Sequence, residues 1–364
     1  MKDNTQHTSL YALGLMSGTS LDGIDLALIT TDGESVSWFG PTDTIPYSSN
    51  VREKVRATLG GVGDTATAEL LLTKAHIVAA RNFLNIHKLL PSDIDLIGFH
   101  GHTIMHTPSN RKTWQIGDGK HLAKELETDV VADFRSADVS KGGEGAPLAP
   151  VFHRALAKDL AQPVCVLNVG GVANLTWVCG ASMIAFDTGP GNALIDDWIR
   201  THTGRPMDFN GTLAAAGQVS MQALSHLLKD PYFEKPAPKS LDRNHFSRHA
   251  TDLLENISLA DGASTLTTFT AESIKRALEI VPQAPKQVLV CGGGRKNNTL
   301  MVTLQNKVAM PVNPVETVGW SGDAMEAQLV AFLAARSFYQ LPLSFPTTTG
   351  VSAPTTGGRF FSAN

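Results

Sequence analysis

The sequence predicts an α/β protein in which one strand-rich plan occurs twice. Three observations carry this. Residues 14–30 read GLMSGTSLDGIDLALIT: two apolar, strand-like runs joined by a Gly/Ser/Thr turn that contains Asp22. Residues 163–178, PVCVLNVGGVANLTWV, repeat that plan around Gly170 and Gly171, and a further strand-like run, SMIAFD, ends at Asp187. Residues 287–301, QVLVCGGGRKNNTLM, read as a buried strand, then Gly292-Gly293-Gly294, then a helix from Asn297 onward. Two glycine-tipped hairpins, each opening one half of the chain, suggest a duplicated fold with a nucleotide between the halves.

Taken in order, the first hairpin is followed by SVSWFG (35–40), which reads as its third strand. Residues 65–90 place apolar side chains at i, i+3 and i+4 and predict a long helix. Residues 95–107 read as a strand running into a polar loop, 121–127 as a helix, and TDVVAD as the next strand. The stretch 135–150 is rich in Gly, Ser and charge and predicts a loop of defined shape, with a helix after Pro150. The second half opens near Pro163 with its hairpin, and helices are predicted at 193–201, 213–229, 250–281 and 323–337. The domains so predicted are 1–160 and 161–364. The tail PTTTGVSAPTTGG has no core-forming pattern and reads by composition as a loose terminus.

Composition narrows the function classes. A chain of 364 residues with 42% hydrophobic content is long enough for two cores and ordinary for a water-soluble globule. A net charge of −4 gives a nucleic-acid partner no electrostatic support. Cys165, Cys179 and Cys291 form no CxxC pair and read as thiols in a reducing compartment, not as a disulfide or zinc framework. The polar start MKDNTQHTSL lacks a signal-peptide core, and no apolar run approaches transmembrane length, so a cytoplasmic protein without a membrane partner is expected. HGHTIMH is the densest histidine group, and it lacks a partner HxxE or CxxC that would make a metal site.

The first turn offers small residues, backbone N–H groups, the Thr19 and Ser20 hydroxyls and the Asp22 carboxylate. N–H groups and hydroxyls suit phosphate oxygens, and a carboxylate suits Mg²⁺ or its waters. It is not a Walker loop, because no GK[ST] is present and no helix follows directly. Glycine-rich hairpin tips are also common as plain turns. The second copy and the third glycine site favour ATP, in the order phosphate loop, phosphate loop, adenosine loop. The nucleotide residues are then Gly18, Thr19, Ser20, Leu21, Asp22, Gly23, Ile24 and Asp25, with Gly170, Gly171, Gly292, Gly293, Gly294 and Asn297. Asp22 would hold Mg²⁺ through water. Asp187 ends a strand before Thr-Gly-Pro-Gly-Asn, and by pattern alone it is either a cleft carboxylate or an Asx-turn cap for the next helix.

The segments GLMSGTSLDGID, GFHGHTIMHTP, TWQIGDG, ADFRSADVSKGGEGAPLAP, NVGGVANLT, FDTGPGNALIDDWI, PKSLDRNHF, CGGGRKN and GWSGDAMEAQLVAFLAARS run from about residue 10 to residue 358. In this order they resemble the anhydro-N-acetylmuramic acid kinases, a family of the sugar kinase/Hsp70/actin superfamily. FDTGPGN and ADFRSADVSKGGEGAPLAP are specific to that family, whereas the GTS hairpin alone identifies only the superfamily. The resemblance implies two ribonuclease-H-like (actin/hexokinase-type) domains with a cleft between them, ATP and Mg²⁺, and a homodimer. It implies a reaction in which water opens the 1,6-anhydro bridge of the sugar while the γ-phosphoryl group goes to O6, in cell-wall recycling. It makes Asp187 the catalytic base and puts Arg135 at the sugar's lactyl carboxylate, which a guanidinium can bind bidentately. Gly191 and Asn192 would shape the sugar pocket; His102 is either a sugar ligand or a residue that holds loops together through hydrogen bonds, and Glu326 either accepts from a sugar hydroxyl or anchors a hinge. The tail would fold back over the protein. KSLDRNHF departs from a Thr-Gly-Arg version found in some members, so Asp242 and Arg243 receive no role. Two rivals share the hairpin: another kinase or polyphosphate hydrolase on this fold, and a nucleotide-driven binding module of the Hsp70 or actin type.

Overall fold

The structure, a computed structural model, describes residues 7–18 and 21–364. Thr19 and Ser20 therefore lie outside the described residues. Two compact units are formed: residues 1–156 with 324–364, and residues 157–323.

The first unit is built on strands β1 (Leu10–Met16), β2 (Gly23–Thr31), β3 (Val36–Pro46), β4 (Leu96–Phe99), β5 (His102–Thr107), β6 (Lys112–Ile116) and β7 (Val130–Ala132). The second carries β8 (Val164–Val169), β9 (Val172–Cys179), β10 (Ser182–Pro190), β11 (Gln287–Cys291) and β12 (Val312–Pro314), and β13 (Arg359–Phe361) returns to the first. The sheet orders are β13-β7-β4-β1-β2-β3 and β10-β9-β8-β11-β12. In each, an antiparallel three-strand meander is followed by strands parallel to its first member. The plan is the ribonuclease-H-like one, present twice, as the paired hairpins imply. β5 and β6 form a separate ribbon.

Each sheet has its own core. In the first unit Leu13, Leu15, Leu26 and Leu28 of the hairpin pack with Leu72, Ala80 and Phe83 of the helix Thr65–His87. In the second unit Leu167, Leu175 and Val290 pack with Ile274 and Leu278 of the helix Leu259–Glu279. The predicted helix at 250–281 is two helices, Ser247–Leu254 and Leu259–Glu279, because Ser258 caps the second by accepting from the Asp261 N–H at 3.2 Å. Likewise 213–229 splits into Thr212–Ala216 and Met221–Leu227; a Cβ at the intervening Gly217 would overlap the Ala260 carbonyl. The 135–150 loop contains a short helix, Ser136–Ser140.

The domain boundary needs a correction. The last helix, Met325–Phe338, was expected in the second domain, but it packs on β1, β2 and β4 of the first. The reason is steric. Gly14 of β1 and Gly98 of β4 are register partners, and a Cβ on either would overlap the helix backbone at Ala327 or Val330. Two adjacent glycines make a flat seat on which an alanine-rich helix lies directly. The tail follows the helix back: Thr349 and Val351 are fully buried, and β13 pairs antiparallel with β7.

Candidate active site

In the first unit the glycine turn joins β1 to β2 with Met16 opposite Asp25. The Leu21 N–H donates to the Gly18 carbonyl at 3.1 Å, and Leu21 takes a left-handed φ of 57°. The turn is braced from outside by Arg52, whose Nε donates to the Leu21 carbonyl at 3.0 Å, and by the Tyr47 N–H, which donates to the Asp22 carbonyl at 3.3 Å. The Leu21 and Ile24 side chains lie in the core, so these residues can offer a ligand only backbone. Gly23 is forced by the Ile45 carbonyl, which a Cβ would approach to 2.7 Å. The Asp22 side chain is exposed. Asp25 is turned to structural use, its carboxylate accepting from Thr44 Oγ1 at 2.6 Å.

A polar cluster lies beside this turn. Arg135 donates through Nη1 to the Gly145 carbonyl at 2.8 Å and through Nη2 to His100 Nε2 at 3.0 Å. The Nδ1 of His100 lies 3.0 Å from the Gly101 carbonyl; a carbonyl only accepts, so Nδ1 bears the proton and Nε2 is free to accept from Arg135. Burial and the Arg135 charge push the His100 pKa down to about 3, which keeps that acceptor available. Burial also lowers the Arg135 pKa, opposed by Glu326 and Asp138. Glu326, in the first turn of the helix Met325–Phe338, reaches solvent. Desolvation and the Asp25 carboxylate raise its pKa, and Arg135 lowers it.

The loop that holds Arg135 is organised by Asp138. This buried carboxylate accepts from the Gly145 N–H and from Thr349 Oγ1 of the tail, each at 2.6 Å. The Glu144 N–H adds a bond to the Thr349 carbonyl at 2.7 Å. His102, which the sequence offers either as a sugar ligand or as a residue that holds loops together, is fully buried, with Nδ1 3.2 Å from Ser17 Oγ. It braces the first turn from the interior.

In the second unit three glycine loops converge. The Gly191 and Asn192 N–H groups donate to the Gly171 and Gly170 carbonyls at 2.9 and 2.8 Å. Asn192 Nδ2 donates to the Val169 and Gly170 carbonyls at 3.1 and 3.2 Å, so this side chain braces the second turn. Gly292 and Gly294 press on Asn168 and Val169, where a Cβ would overlap, and Gly293 faces Asn192. Asn297 caps the helix Asn298–Lys307 by accepting from the Leu300 N–H at 3.0 Å. Beside this third turn is a surface cavity of about 470 Å³, lined by Arg295, Lys296, Asn298, Met301, Val312 and Pro314 among others. Glu316 and Asp323 hold Arg295 at its rim at 2.8 and 2.9 Å.

Asp187 sits where the β10–β9 register shifts, between Asp187 and Gly189. The bulge re-aims the strand end, as bulges beside active sites commonly do. Its N–H donates to the Lys239 carbonyl at 2.9 Å, its carbonyl accepts from Tyr232 Oη at 2.5 Å, and its Oδ2 accepts from the Leu241 N–H at 2.8 Å. The segment 232–241 thus grips Asp187 at three points. Sequence reasoning missed this clamp, as it missed His100 and Tyr47. It also gave no role to Arg243, which is paired with Asp197 at 3.0 Å and has its Nε 3.9 Å from where a Gly171 Cβ would lie.

Among the described residues no group of three or more His, Cys, Asp or Glu is placed to hold a metal. Such a cage is not what Mg²⁺ needs beside phosphates, because it keeps most of its waters and takes one or two carboxylates. The exposed Asp22 on the glycine turn fits that pattern. No helix of the described residues is long and apolar enough to cross a membrane.

The family profile described as anhydro-N-acetylmuramic acid kinase matches residues 10–363. A relative of that name from Paramagnetospirillum magneticum is 52% identical over 96% of this chain and 99% of its own length. Another from Acidiphilium cryptum is 50% identical over 96% and 98%. Among solved structures, the (R)-2-hydroxyglutaryl-CoA dehydratase component A of Acidaminococcus fermentans aligns with a TM-score of 0.48 and 13% identity, over 90% of this chain and 99% of that one. A match of nearly full length, with identity at this level throughout, leaves one assignment: the chain belongs to the anhydro-N-acetylmuramic acid kinase family.

Proposed function

We propose that this protein is an ATP-dependent kinase that opens 1,6-anhydro-N-acetylmuramic acid with water and phosphorylates its O6, giving N-acetylmuramic acid 6-phosphate and ADP. The observation that carries the reading is Asp187: a carboxylate at a bulged strand end, clamped by 232–241, in a chain of this family. A single general base suits the chemistry. Asp187 takes a proton from the water that attacks C1; the C1–O6 bond breaks, and the freed O6 receives the phosphoryl group without a base of its own. In this reading Arg135, aimed by His100 and the Gly145 carbonyl, binds the lactyl carboxylate, and Glu326 accepts from a sugar hydroxyl. The backbone of the first and second glycine turns cradles the phosphates, and the third turn, with its neighbouring cavity, takes the adenosine. Mg²⁺, when bound through water at Asp22, neutralises phosphate charge. Excluding bulk water from the site would limit hydrolysis of ATP. A cytoplasmic homodimer serving cell-wall recycling belongs to the same proposal.

The test compares ADP release with 1,6-anhydro-N-acetylmuramic acid, with ordinary N-acetylmuramic acid, and with no sugar. The reading expects ADP and sugar phosphate in equal amounts with the anhydro sugar alone. ATP hydrolysis independent of sugar, or preference for the open sugar, would overturn it.

A further inference from the structure

The base of the first glycine turn is tied into the protein interior by a chain of buried polar groups. Tyr47 Oη donates to Ser17 Oγ at 2.9 Å, and Ser17 Oγ lies 3.2 Å from His102 Nδ1. Ser17, Tyr47, His102 and His76 are all buried. His102 is also hydrogen-bonded to the Ser17 backbone, so it is tied to Ser17 through both side chain and main chain. Its Nε2 is sealed from solvent and has no partner. His76, on the helix Thr65–His87, has Nδ1 2.9 Å from the Leu72 carbonyl, so Nδ1 is its donor and Nε2 a bare acceptor. His76 Nε2 is also sealed and without a partner. A buried polar atom left unpaired is costly, so the bonds these rings do make are held firmly.

We propose that Tyr47 and His102 are positioning residues for the first glycine turn, forming with Ser17 a buried relay that fixes the base of the turn from inside. Tyr47 grips both arms: its phenol holds Ser17 on the incoming strand, and its N–H holds the Asp22 carbonyl on the outgoing one. Gly18, which follows Ser17, closes the turn by accepting from Leu21. Both side chains are buried, and they act through Ser17 and the Asp22 carbonyl. The proposal rests on the reading of this turn as the phosphate site, and its test separates the two.

Tyr47→Phe deletes one oxygen and keeps the packing. The expected result is a KM for Mg-ATP raised about 5- to 30-fold, with the KM for the sugar unchanged. His102→Asn, which keeps a polar partner for Ser17, should retain Mg-ATP affinity within about threefold, and His102→Leu should not. If Asp22→Ala weakens Mg-ATP but Tyr47→Phe does not, the relay is overturned and the phosphate reading stands. If neither variant affects Mg-ATP, the phosphate reading fails and the relay with it. Equal rises in both KM values with a falling Tm would make these residues merely structural and overturn the proposal.

Discussion

Asp187 is gripped by backbone bonds on both sides and by the Leu241 N–H at Oδ2. Asp187→Asn keeps the shape and an acceptor for Leu241 but loses basicity. Turnover should fall by about 10²–10⁴-fold or more while nucleotide binding, read by calorimetry, stays within a few-fold. A near-normal rate would remove Asp187 from the base role. Arg135→Ala deletes a guanidinium held in place by His100 and Gly145. A charge-assisted hydrogen bond contributes about 1.5–3 kcal/mol, so KM for the sugar should rise roughly 10- to 150-fold. An analogue lacking the lactyl group should lose nothing further; equal losses on both substrates would make Arg135 structural. At this scale the sequence showed residue types and motif positions but not bonding. Arg135 was legible as a charge in a distinctive loop, whereas its partner His100 was not, because a histidine's tautomer depends on neighbours brought in by folding. His102 stayed open between two readings for the same reason: its pattern cannot tell an interior brace from a ligand.

Among the elements, the paired glycines under the helix Met325–Phe338 have the clearest consequence. Gly98→Val should displace that helix and carry Glu326 away from Arg135 and Asp25, lowering both Tm and sugar affinity. Unchanged melting would refute the seat. Asp138 joins the Arg135 loop to the tail through two short bonds. Asp138→Ala leaves a buried N–H and a hydroxyl unpaired and should destabilise by a few kcal/mol, about 1–3 for each orphaned group, seen as increased proteolysis at 349–355. The strands and most helices were legible because period-2 and period-3.6 patterns are local. The return of the last helix to the first sheet was not, since that choice is made by Gly14 and Gly98, far away in sequence. The tail was illegible by composition because it is held by the Thr349–Asp138 bond, one buried valine and the β13 pairing, not by an apolar stripe.

For the whole molecule, four buried histidines set the response to acid. Burial pushes His76 and His102 down to about 4, and His100 and His153 to about 3. In the unfolded chain each titrates near 6.5. Above that pH both states are neutral and nothing is lost. As pH falls from 6.5 toward 4 the unfolded chain takes up protons that the folded one refuses, so stability declines by up to about 1.4 kcal/mol per pH unit for each group. Tm should be flat from pH 7 to 8 and drop steeply between 6.5 and 4.5. His153→Leu or His76→Leu should flatten the drop, and an unchanged slope would contradict the assignment. The duplicated sheet plan was visible in the two hairpins, and the family in strings that span the chain.

The central claim is that Asp187 directs water to C1 while O6 receives the phosphoryl group. The direct test is a brief reaction in ¹⁸O-water with mass spectrometry of the sugar phosphate, against product incubated in the same water to measure exchange at the free anomeric centre. The account predicts one solvent oxygen at C1 and none at O6 or in the phosphoryl group. Label in released phosphate with the sugar unopened would contradict it.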